Sequence, residues 1–167
     1  MDYYQGTVTE YLRADRSVFI NTECLIQIKP GKEAPKGSSW YCDAIAVDFR
    51  AKTIFLCEAS YSESQQTQIK RIKEWNDHWM EICDALANKN YNNLPSEWQV
   101  RPWLFVPGKY LKRLLEGLES IRHTQELNLV PRITILEMVQ PWEYCNYDRQ
   151  GAKQELKPVS IPQKWRE

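Results

Sequence analysis

These 167 residues lack most of the features that assign a chain to a class at sight. No apolar run approaches the roughly 20 residues needed to cross a bilayer, which excludes a helical membrane protein and membrane partners. The opening Met1-Asp-Tyr-Tyr-Gln-Gly has no basic-then-apolar layout, so no secretion signal is expected and the expected location is the cytoplasm. Neither sign of charge is in excess, with 22 basic against 22 acidic side chains, so any nucleic-acid role would need a local patch. Gly occurs only six times, leaving little material for a phosphate cradle, and no dinucleotide fingerprint or Ser-His-Asp elbow is present. The five cysteines are odd in number and never form Cys-x-x-Cys. They fit reduced thiols better than a disulfide framework or a zinc knuckle.

What is present points to a folded domain. Hydrophobic residues make up 43% of the chain and Trp occurs seven times, which argues against disorder. One domain is expected over residues 1–140, followed by a polar, proline-containing extension over 141–167. The residue pattern predicts a helix over Thr7 to Arg13 and a strand over Val18 to Ile28, broken near Asn21-Thr22. A loop follows over Pro30 to Ser39, then strands over Tyr41 to Phe49 and Thr53 to Ser60. The apolar period then lengthens. Ile69, Ile72, Trp75, Trp79, Cys83 and Leu86 mark one side of a helix reaching about Asn88. A loop over Asn90 to Ser96, a strand over Trp98 to Val106, a helix over Lys109 to Glu126 and a strand over Arg132 to Met138 complete the domain. This order predicts an α/β fold, a mixed central sheet flanked by helices, with a parallel pair across residues 53–106.

The segment Trp40 to Ser60 carries the most chemistry. Whether its turn is a two-residue tip at Arg50-Ala51 or a four-residue loop over 49–52, the register is the same. Val47 faces Ile54, Ile45 faces Leu56, and Asp43 faces Glu58 on one side of the hairpin. The last pair sets two carboxylates with β-carbons about 5 Å apart. Such a pair is unfavourable unless neutralised, and Mg²⁺ (or Mn²⁺) is the usual remedy, held by one or two carboxylates and several waters. Ser60 points to the same side and could hold a water or a phosphate oxygen. The alternative is a pair of solvated strand-end acids. Cys42 and Cys57 are expected on the opposite face, as buried small hydrophobes.

An Asp opening one strand, an acid closing the next and then a long helix resembles the PD-(D/E)XK nuclease superfamily. Its restriction-endonuclease-like core runs helix–strand–strand–strand–helix–strand, matching residues 1 to about 106, with a helix and a strand added here. The resemblance implies a metal-dependent phosphodiesterase, an endonuclease or exonuclease acting on DNA before RNA, with Asp43 and Glu58 as metal ligands. It also implies an acid from the N-terminal helix, for which Glu10 is best placed. Cys42 stands where the family has Pro, and Ser60 where it has the Lys of Glu-x-Lys. Lys70 and Lys73 on the following helix are the candidates to replace that lysine, and Gln65 and Gln66 resemble the glutamine of some members. Without the lysine, the alternative is a noncatalytic module on the same fold, binding nucleic acid or protein. Oligomeric state is open, dimer included.

Other constellations are weaker. His78 and His123 lie on different predicted helices, where packing or surface roles outweigh a two-histidine metal site. Trp75 and Trp79, at i and i+4, read as core, and Trp98 and Trp103 could be core or stacking platforms. Lys109, Lys112, Arg113 and Arg101, with Lys70, Arg71 and Lys73, form either solvated faces or a phosphate-tracking patch.

Overall fold

Ile45 faces Leu56 and Val47 faces Ile54 across two antiparallel strands, β2 (Ser39–Asp48) and β3 (Thr53–Ala59). The last pair, Asp48 with Thr53, leaves a four-residue loop. Its geometry comes from Asp48, whose Oδ1 accepts the N–H groups of Arg50 and Ala51, both at 3.0 Å. Lys52 closes the loop at φ 50°, in the left-handed region. The computed structural model describes residues 2–27, 39–88, 94–124 and 129–141. The predicted 30–39 loop except Ser39, part of the 90–96 loop, Cys145 and the extension beyond Pro141 lie outside the described residues.

Three more strands complete a five-stranded mixed sheet, β1 (Val18–Gln27), β4 (Gln99–Val106) and β5 (Arg132–Ile135), in the order β1-β2-β3-β4-β5. β1 runs antiparallel to β2, while β3, β4 and β5 are mutually parallel. This is an α/β fold with helices on both faces. On one face α1 (Tyr3–Arg13) buries Val8, Tyr11 and Leu12 against Ala44, Ala46, Phe55, Trp103 and Phe105. On the other lie α2 (Gln66–Asp77), α3 (Trp79–Ala87) and α4 (Leu111–Thr124). Their Ile72, Trp75, Ile82, Leu86, Leu114 and Leu118 pack with Ile45, Ile54, Leu56 and Leu104. Each fully buried aliphatic or aromatic side chain contributes about 1.5–3 kcal/mol, so both faces are anchored. Trp75 and Trp103 are core, and Trp79 packs against it.

Four departures from the expected pattern have local causes. α1 begins at Tyr3 rather than Thr7, because Asp2 and Gln5 form a capping box that offsets the weakness of Gly6. The long helix breaks at His78 (φ −124°, ψ 23°), after the weak helix formers Asn76 and Asp77. β5 stops at Ile135 and a 3-10 turn over Leu136–Val139 follows, which carries Leu136 and Val139 into the α1-side core. Finally, Cys24, Ile26 and Cys42 share a cluster with Ile45, whereas Ala44 and Ala46 belong to the other face. Simple alternation therefore fails between Cys42 and Ala44, so Cys42 is not opposite the carboxylates. Among the described residues no helix is long and apolar enough to cross a membrane.

Candidate functional site

Asp43 sits where β2 parts from β3. The β2–β3 ladder ends at Ala44 opposite Cys57. Beyond it the Asp43 side chain replaces backbone pairing, its Oδ2 accepting the Ala59 N–H at 2.7 Å. Oδ1 accepts Nε2 of Gln5 at 2.7 Å. The orientation of Gln5 comes from the helix cap. The Asp2 N–H donates to Gln5 Oε1 and the Gln5 N–H donates to Asp2 Oδ1, each at 2.9 Å. With its oxygen held by the cap, the amide can offer only nitrogen to Asp43.

Glu58 approaches from β3. It is buried, 7% exposed, and its Oε1 accepts from Nη1 of Arg71 at 2.9 Å. Arg71, on α2, also donates to the backbone carbonyl of Tyr41. Tyr41, Cys42, Asp43, Glu58 and Arg71 line a single cavity of about 230 Å³. The backbone bearing Glu58 is fixed by Gln68, whose Nε2 donates to the carbonyls of Glu58 and Phe105, both at 3.1 Å. That buried amide ties together the carboxyl ends of two parallel strands.

Electrostatics follow from this crowding. Burial, then the neighbouring Asp43, push the Glu58 carboxyl up to about 8, against the lowering effect of Arg71. Asp43 is also raised by burial, opposed by the Ala59 N–H, Gln5 and Arg71. Burial raises the Cys42 thiol, and the nearby Cys24, Cys57, Glu58 and Asp43 add to it. The acids at the opposite end of the hairpin make a useful contrast. Asp15 Oδ1 accepts the Ser17 N–H and hydroxyl at 2.9 and 2.8 Å, and Asp48 holds its loop. The hydrogen bonds of those acids shape a turn, whereas those of Asp43 and Glu58 hold the two carboxylates at an open cavity.

The other expected site residues are placed as follows. Glu10 pairs with Arg13 at 3.0 Å on the exposed side of α1, and Gln5 is the α1 residue that reaches Asp43. Lys70 is 78% exposed and pairs with Glu74 at 3.7 Å, and Lys73 is exposed. Neither lines the cavity, where the cation is Arg71. Ser60 Oγ accepts the Ser62 N–H at 3.2 Å, and Ser60 is not among the cavity residues. Gln65 is buried at the start of α2 with φ 55° and donates to the Ser62 carbonyl, while Gln66 is exposed. The buried glutamine at the strand ends is Gln68. His78 pairs with Glu81 at 3.1 Å, between α2 and α3, and His123 is exposed near the end of α4.

Among the described residues no group of three or more His, Cys, Asp or Glu is arranged to hold a metal ion. Two carboxylates are therefore the acidic donors at the cavity. Hard oxygens, few protein ligands and room for water suit Mg²⁺ or Mn²⁺, and do not suit zinc. Occupation by a cation would also offset the burial that raises both acids, and at Glu58 the repulsion from Asp43 that adds to it. No family model matches the chain, and neither does any curated protein or solved structure.

Proposed function

We propose that the Asp43–Glu58 cavity binds a divalent metal, Mg²⁺ or Mn²⁺, and hydrolyses phosphodiester bonds in nucleic acid, DNA before RNA. The observation that carries this is the convergence of a buried carboxylate, Glu58, and a half-buried one, Asp43, on one open cavity beside a guanidinium. A purely structural role gives little reason to keep them, since buried ion pairs often yield to apolar residues without loss of stability. Perturbed acids in a cleft are the usual mark of chemistry. The element order and the acid pair agree with a divergent PD-(D/E)XK nuclease in which Arg71 takes the place of the lysine.

When bound, the metal supplies Lewis acidity and a water of lowered pKa. Asp43 and Glu58 would hold it, and Gln5 and the Ala59 N–H keep the Asp43 carboxylate fixed. Arg71 turns from Glu58 toward the phosphate and offsets the charge that develops on its oxygens. Gln68 keeps the strand ends from spreading.

A second reading has its own support. Arg71 already engages Glu58, as expected if an arginine had replaced the metal in a noncatalytic nucleic-acid- or protein-binding module.

Cleavage of end-labelled DNA in Mg²⁺ and Mn²⁺ decides between them. Wild type is expected to cleave, Asp43→Asn and Glu58→Gln to be inactive, and Arg71→Ala to lose about 10²–10³-fold. Lys70→Ala and Lys73→Ala should cleave like wild type. Absence of metal-dependent cleavage of any nucleic acid, or full activity in Glu58→Gln, would remove the catalytic reading.

A further inference from the structure

Three residues beyond Glu58 the chain reaches Tyr61, 44% exposed and stacked on Tyr4 of α1 (centroids 4.3 Å apart, planes within 10°). Tyr110, from the turn after β4, meets the edge of the same ring at 6.3 Å. Lys109 Nζ lies over both rings, 4.9 Å from the Tyr61 centroid and 4.6 Å from that of Tyr110. Lys109 and Tyr110 also border a cleft of about 360 Å³ with Lys112, Arg113, Glu63 and Glu116. Its three cations face two carboxylates, and Glu63 is paired with Arg113 at 3.5 Å. The stack and the cleft lie beyond the carboxyl ends of the parallel strands β3 and β4, where open α/β sheets usually hold ligands.

We infer that this tyrosine ledge binds single-stranded DNA, stacking an unpaired base on Tyr61 while Lys109 and the cleft take the adjoining phosphates. Three extended residues span at most about 10 Å, so a strand whose phosphate lies at Asp43 and Glu58 would bring a neighbouring base to the ledge. A tyrosine face is reached only by a base that is out of its pair, which selects single strands over duplex. Lys109 now covers the Tyr61 ring, but an exposed cation–π contact is weaker than base stacking. The base therefore displaces the ammonium, which is left free to meet phosphate. The inference deepens the phosphodiesterase reading and rests on it for the placement of the scissile phosphate.

The test is fluorescence anisotropy of a labelled oligonucleotide in EDTA, single-stranded and as duplex, so that binding is measured without cleavage. Wild type should prefer the single strand. Tyr61→Ala should weaken it about tenfold, and Tyr61→Leu, which keeps bulk against Tyr4, should weaken it similarly. Tyr61→Trp should retain affinity. Lys109→Gln should reduce the slope of log affinity against log salt by about 0.7, a change that a packing role for Lys109 would not produce. Equal affinity for duplex, or unchanged binding in Tyr61→Leu with an unchanged salt slope in Lys109→Gln, overturns the ledge. Hydrolysis of bis(p-nitrophenyl) phosphate, which has no base to stack, tests the acid pair separately. If wild type hydrolyses it but ignores single strands, the ledge fails alone. If wild type binds through Tyr61 but hydrolyses nothing, the ledge stands and the catalytic reading fails.

Discussion

Glu58 is the residue on which the site turns, and its ionisation ties the site to stability. Its carboxyl titrates near 8 when folded, against an ordinary value of 4.5, with Asp43, Arg71 and Cys42 as its charged or titratable neighbours. The folded state therefore holds a proton that the unfolded chain releases. The contribution to stability is fully present below pH 4.5 and is lost as pH rises through 8. Asp43 is shifted in the same direction. In EDTA, Glu58→Gln should be close to wild type at pH 4.5 and more stable above pH 8, by a few kcal/mol at most, since the amide oxygen can still accept from Arg71. Urea melts across that range measure it. A difference independent of pH would mean that Glu58 is not held protonated. At this scale the sequence exposes the two acids but not their partners. Arg71 and Lys73 flank the buried Ile72 on opposite sides, each about 100° away on the helix. Both are equally eligible on a wheel, and only the packing of α2 decides which flank meets β2 and β3. Gln5 is likewise invisible until the cap at Asp2 is recognised as extending α1 by a turn.

Elements were legible where one face is plainly buried. The β2–β3 register follows from two aliphatic pairs, because a slip by one residue would break both and turn one strand's set toward the face that α1 covers. Cys42 breaks the pattern by packing in the cluster of Ile45 rather than with Ala44, although its pairing to β1 stays in register, and period-two counting gives no sign of this. Helix packing is also hidden from sequence. Gly117 of α4 lies so close to α2 that an added β-carbon would stand 2.3 Å from Cδ1 and 2.8 Å from Cγ1 of Ile69. Alanine there gains up to about 1 kcal/mol in helix propensity, but overpacking typically costs about 1–3 kcal/mol. Gly117→Ala should therefore lower the melting temperature. In an Ile69→Ala background the clash is gone, and the same change should be neutral or stabilising. Thermal denaturation of the four proteins closes the cycle, and additive effects would show that the two residues do not meet.

For the whole molecule, the mixed sheet places the proposed site at one end. β3 and β4 run parallel, so their carboxyl ends, the Gln68 clamp, the acid pair and the tyrosine ledge share one rim. Formal neutrality is compatible with the local binding proposed, since Arg71 and Lys109 lie at that rim while Arg101 is held elsewhere, by the Val130 carbonyl at 2.8 Å. The central claim is that Asp43 and Glu58 together bind a divalent cation. Thermal melting at pH 8.5 in millimolar Mn²⁺ against EDTA tests it without a substrate. Wild type should gain stability by mass action, about 2.7 kcal/mol at a hundredfold excess over the dissociation constant, while Asp43→Asn and Glu58→Gln gain little. An unmoved wild-type midpoint, or a gain that survives both substitutions, would contradict it.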